Sequence, residues 1–126
     1  MMNQYRSIPA GNRAIAIVQG STCCFTDEQS ALDFMMTVKY ETGADAIILP
    51  KALLPEEFFD LKTKLAGSVL QKYINYSTKL AIVGDFSGYT SKSLADFIRE
   101  SNRGKDFFFV ATQEQGIEML TKALNA

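Results

Sequence analysis

The chain has 126 residues, 47% of them hydrophobic and 21% charged, with a formal net charge of −1 and no histidine. That size suits one domain around a single core, and the balanced charge lacks the clustered Lys and Arg that nucleic acids or anionic membrane surfaces require. Without histidine, Ser-His-Asp triads, His-relayed general bases and His-ligated metals are excluded, and no apolar run approaches the roughly 20 residues that span a bilayer.

In chain order, the start MMNQYRSIPAGNR has no apolar stretch ahead of a small-residue cleavage site, so a cytoplasmic protein is expected, with residues 1–12 frayed. AIAIV (14–18) is the first apolar run, and STCCF (21–25) is a candidate short second strand. Cys23 and Cys24 are adjacent, so they cannot staple distant segments, and without His they lack the usual zinc ligands. They read as two small half-buried residues; no metal and no cofactor is expected.

Thr26 and Gln29 have capping-box spacing ahead of Ala31, Phe34, Met35 and Val38, and Gly43 follows as a helix terminator. DAIIL (45–49) is the next apolar run. Pro55 then opens PEEFFDLKTKLAGSVLQKYINY, where Phe59, Leu65, Val69 and Tyr73 recur near helical spacing and Gly67 is the expected weak point. LAIV (80–83) leads through a loop to a helix with Leu94, Phe97, Ile98 and Ser101 inward and Lys92, Asp96, Arg99 and Arg103 outward, ended by Gly104. After FFFVA (107–111), Thr112 and Gln115 repeat the capping spacing before a stripe of Ile117, Leu120 and Leu124.

The four apolar runs lack the alternation of a half-exposed strand and read as strands covered on both faces, as in a largely parallel sheet. The fold class is α/β in one domain, 1–126.

The motifs FFDLKT, AGSVLQKYINY, LAIVGDFS and ESNRG occur in that order, and through them the chain resembles the bacterial family catalogued as domain of unknown function 4180 over nearly its whole length. The family pattern tends to read TG-AGE-LQK; here Lys64 stands where glycine is usual and Ser68 where glutamate is usual. The resemblance implies that any function carried by that glutamate is lost in this chain. More distantly, the helix–strand order is similar to SpoIIAA-like proteins of the STAS group. That likeness implies a mixed, mostly parallel sheet of four or five strands with about four helices, in a group of modules that bind protein partners or small ligands and are mostly not enzymes.

The stretch GDFSG (84–88) has two readings. In one, Gly84 and Gly88 permit a tight turn and Thr90 or Ser91 caps the next helix. In the other, Gly84, Asp85, Ser87 and Ser91 bind a ligand, because ligands of open α/β sheets bind beyond the carboxyl ends of strands. Asp85 would repel a phosphate, and the spacing matches neither nucleotide-binding glycine motif. Phosphorylation of Ser87 or Ser91 is a further alternative by comparison with the DSSG of STAS proteins, although that motif follows the preceding strand.

Gln71, Lys72, Asn75, Tyr76, Asn102 and Arg103 offer donors for a carboxylate or phosphate as a second polar surface. Arg103 lies 12 positions beyond Ser91, about 18 Å along a helix, and so does not share the loop's crevice. Phe58 and Phe59 are adjacent on a supposed helix, where both cannot face one core, which suggests a homodimer interface at one of them. No nucleophile, base and oxyanion donor stand at recognised spacing, so no catalytic residue is assigned. The alternative, a His-independent enzyme, needs a closed pocket around Asp85, Lys72 or Tyr76.

Overall fold

Residues 3–126 are described by a computed structural model. Five strands, β1 (Gln4–Ala10), β2 (Arg13–Gln19), β3 (Ala46–Pro50), β4 (Lys79–Val83) and β5 (Phe107–Val110), form one sheet in sequential order. β1 runs antiparallel to β2, and the other neighbours are parallel. Each crossover therefore steps in the same direction, and crossovers of one hand stack their helices on one face. Those helices are α1 (Glu28–Thr42), α2 (Leu65–Asn75) and α3 (Lys92–Arg103). α4 (Gln113–Leu124) has no strand to follow and folds back over the opposite face.

The side-chain period of two splits each apolar run between two cores. Ala16, Val18, Ile47, Leu49, Leu80, Ile82 and Phe109 meet the three-helix layer, while Ile15, Ile17, Ala46, Ile48, Ala81, Phe108 and Val110 meet the α4 side. Both faces are covered, which is why these runs show no polar alternation. No helix among the described residues is long and apolar enough to cross a membrane.

Several sequence expectations need correction. Most of the segment expected to fray is β1, joined to β2 through Gly11 and Asn12, with Gly11 at φ 67°. STCCF is not a strand; it passes through bends, and the Cys24 amide donates to the Leu53 carbonyl at 2.8 Å. The cap of α1 falls one residue later than Thr26. Asp27 accepts from the Ser30 amide at 2.8 Å while the Ser30 hydroxyl accepts from the Asp27 amide at 3.0 Å, and Gln29 instead donates to Asp33.

The region from Pro55 is not one helix broken at Gly67. Three short 3₁₀ turns, Lys51–Leu53, Glu56–Phe59 and Leu61–Thr63, precede α2. The break is Lys64, held at φ 64°, ψ 7°, and Gly67 lies inside the helix. Tight 3₁₀ geometry also overturns the interface expectation for Phe58 and Phe59. Both enter the core, 1% and 5% exposed, with ring centroids 5.2 Å apart and edge to face, so self-association loses the exposed phenylalanine on which it rested.

Ile82 sits on β4 between two parallel neighbours and is 1% exposed. Ile82→Ala is expected to destabilise the fold by about 2–4 kcal/mol, read as a shift of the denaturant midpoint at unchanged slope. A loss below about 0.5 kcal/mol would be incompatible with this central, two-sided burial.

Candidate functional site

The connections leaving β3 and β4 meet at the carboxyl end of the sheet, although the sequential strand order gives no switch-point crevice between them. Their contact begins at Gly84. Its amide extends the ladder to the Val110 carbonyl at 2.9 Å, and a Cβ there would stand 2.7 Å from Lys51 Cβ. Glycine is needed because the Lys51 stem crosses its backbone. The Lys51 ammonium then lies 4.7 Å from the Tyr89 ring centroid and 5.8 Å from that of Phe59, within cation–π range.

Aromatic contacts hold the 84–91 loop down. Phe86 packs on Phe59 and Phe109, and Tyr89 stacks on Phe59 with centroids 5.4 Å apart. The loop's polar residues mostly satisfy one another. Asp85 accepts from the Ser87 hydroxyl at 2.6 Å and from the Ser87 amide at 2.9 Å. Ser91 caps α3 by accepting from the Leu94 amide at 3.2 Å. A phosphate on Ser87 would place new negative charge against Asp85.

Beside the loop lies an open cleft of about 450 Å³, with Phe59, Leu61 and Leu94 among its apolar lining. Glu56, Glu57 and Asp60 line it together with Tyr89, Thr90 and Ser91, and no Lys or Arg does. Of the four predicted loop residues, only Ser91 belongs to this cleft. Gly84 and Lys51 line a smaller neighbour of about 310 Å³. The Tyr89 hydroxyl is buried without a hydrogen-bond partner.

The second predicted polar surface is only partly assembled. Gln71, Lys72 and Asn75 share a groove of about 640 Å³ with Lys64 and Ser68. Tyr76 follows the end of α2 and is 45% exposed. Asn102 lies elsewhere and does more than terminate α3: its amide nitrogen donates to the Phe109 carbonyl at 3.2 Å and its oxygen accepts from the Phe109 amide at 2.7 Å. It thereby occupies part of the free edge of β5, where an unpaired ladder would invite another strand. Arg103 pairs with Glu100 at 3.5 Å on the α3 surface.

Sequence reasoning missed Lys51, Tyr89 and the Glu56–Glu57–Asp60 group. The signal for Lys51 was its place directly after the carboxyl end of a buried strand; Glu56 and Glu57, directly after Pro55, carry the pattern of an ordinary first helical turn. No group of three or more metal-ligating side chains exists among the described residues.

Residues 10–120 match the family described as Domain of unknown function (DUF4180). The chain belongs to this family, as the motifs at 58–63, 66–76, 80–87 and 100–104 had suggested. No curated protein and no solved structure matched the chain.

Two predictions follow from the local chemistry. The Ser87 hydroxyl, then the Ser87 amide, and more weakly the charge of Lys51 hold the Asp85 carboxyl below the usual carboxylate range. Its depressed value means that the Asp85 contribution to stability is fully present above the unfolded carboxylate pKa of about 3.9. It is lost as pH falls through the folded value, so the stability gap between the wild type and Asp85→Asn should narrow in acid melts. At the other end of the chain, burial, with the Cys23 charge adding, pushes the Cys24 thiol up to about 12. Thiolate is the reactive form. Iodoacetamide at pH 8 should therefore modify exposed Cys23 well before Cys24, with peptide mass spectrometry showing both modified only in denaturant.

Proposed function

We propose that this chain is a non-catalytic binding module, and that its ligand or protein partner presents a positively charged group to the cleft beyond the carboxyl ends of β3 and β4. The observation that carries this reading is the charge of the cleft. Glu56, Glu57 and Asp60 line it over apolar Phe59, Leu61 and Leu94, with no basic side chain among them. A cation entering there finds exposed carboxylates spaced along the cleft beside an apolar base, each pairing contributing a modest attraction.

The groups with displaced pKa values, none of which lines the cleft, are all moved away from the range that acid–base catalysis uses. Hydrogen bonds from neighbouring groups hold Asp27, Asp85 and Asp96 ionised, the Asp96 carboxylate holds Lys92 charged, and burial holds Tyr5, Cys24 and Tyr73 neutral. Every one of these displacements moves the group away from neutral pH, whereas a general acid or base is poised near it. The likeness in element order to STAS-type modules, which bind proteins or small ligands, agrees with this reading.

Spermidine, a flexible polyamine, is a direct probe. Titrated into the ¹⁵N-labelled full chain, it should give saturating amide shifts at Thr90 and Ser91, and Glu56→Gln with Glu57→Gln should weaken binding about fivefold or more. Both acids are exposed, so the fold tolerates the change. Equal affinity in the double variant, or equal shifts with an uncharged polyol, would refute the reading.

A further inference from the structure

A groove of about 640 Å³ runs along α2, bounded by Glu28 at the start of α1 and by Phe97 of α3. α2 buries Ala66, Val69, Leu70 and Tyr73 in the core. Its other stripe, at 68, 71, 72 and 75, lines the groove together with Lys64 at its start, the spacing of one helical face. Leu61 and Phe97, both partly buried, supply an apolar base. At Gly67 the wall is bare, for nothing lies within 4 Å of where a Cβ would stand.

The polar walls are specific in charge and in hydrogen-bonding capacity. Glu28 is the one acid in the groove, and it lies 3.7 Å from the Lys72 ammonium. Lys64 has no ion-pair partner among the described residues, so its charge is uncompensated. Gln71 donates to Asn75 at 3.0 Å, which leaves the Gln71 oxygen able to accept and the Asn75 amide able to donate to a third group.

We propose that this groove binds a small organic anion. Its carboxylate or phosphate lies at the Lys64 ammonium, its apolar body covers Leu61 and Phe97, and its far end is held by Gln71 and Asn75. A long polyanion does not fit, because beyond Leu61 the surface passes into the cleft of Glu56, Glu57 and Asp60, where like charge repels it. This inference is independent of what the acidic cleft binds.

The test uses phenyl phosphate, benzoate and neutral benzamide, titrated separately into the ¹⁵N-labelled full chain at low salt. At least one anion is expected to give saturating amide shifts at Gly67, Ser68 and Gln71, with the tighter of the two naming the headgroup, while benzamide does not saturate. Lys64→Gln should weaken the anion about threefold to fivefold, and Ser68→Glu, which leaves the Lys64 backbone untouched, should weaken it at least as much. Lys92→Gln, a change of equal charge on exposed α3 surface, should leave it unchanged. The proposal is overturned if neither anion saturates at α2, if benzamide binds equally well, or if Ser68→Glu binds the anion as tightly as the wild type does.

Discussion

A row of aromatic rings crosses the three-helix face of the sheet and ties its two edges together. Tyr5 of β1 meets Phe34, Phe34 meets Phe25, and Phe25 meets Phe58, with centroids 5.9, 6.3 and 6.2 Å apart. Phe58 then meets Phe59, Phe59 meets Phe86, Phe86 meets Phe109 and Phe109 meets Phe97, at 5.2, 6.1, 5.4 and 6.0 Å. Tilted and edge-to-face pairs of this kind contribute about 0.5–1.5 kcal/mol each beyond the area they bury. Their larger effect is positional. Phe59 anchors the 84–91 loop through Phe86 and Tyr89, so the connection after β3 and the connection after β4 form one surface.

That row explains why the strands were legible and the segment after β3 was not. A parallel strand buried on two sides announces itself as an unbroken apolar run, and 14–18, 45–49, 80–83 and 107–111 did so. β1 is an edge strand with mostly exposed or half-exposed residues and a proline, so its apolar content is low. Its signal was the Gly11–Asn12 pair, a hairpin turn whose first residue has positive φ. In 55–64, helical spacing competed with the demand that Phe58 and Phe59 both be buried. Two 3₁₀ turns, Glu56–Phe59 and Leu61–Thr63, meet that demand, helped by the Thr63 hydroxyl, which shares its one proton between the Glu57 and Asp60 carbonyls at 2.7 and 2.8 Å, and no local periodicity reports it.

The candidate sites were legible only where one helix carries the residues. Gln71, Lys72 and Asn75 share a face by helical spacing alone. Asn102 and Arg103 lie on the following helix, and their partners are Phe109 and Glu100 rather than α2. In the 84–91 loop, short polar side chains next to glycine read equally well as a turn or as a site, and the structure spends Asp85 and Ser87 on the turn itself. What the loop contributes to the cleft is Tyr89, Thr90 and Ser91, opposite acids that lie some 30 residues earlier and are brought near by the stacking of Tyr89 on Phe59.

Lys64 is the point at which the two polar surfaces part. Before it, the 3₁₀ turns set Glu56, Glu57 and Asp60 on one side of Leu61; after it, α2 sets Ser68, Gln71 and Lys72 on the other. A left-handed residue reverses the chain direction too sharply for one continuous helix, and it costs a non-glycine side chain about 1–2 kcal/mol. Had the segment run on as a single helix, its acids and lysines would have alternated around one cylinder and partly neutralised each other. The strained turn keeps them apart, so that opposite charges face solvent in two adjoining clefts, each resting on a member of the aromatic row: Phe59 under the acids and Phe97 under the lysines.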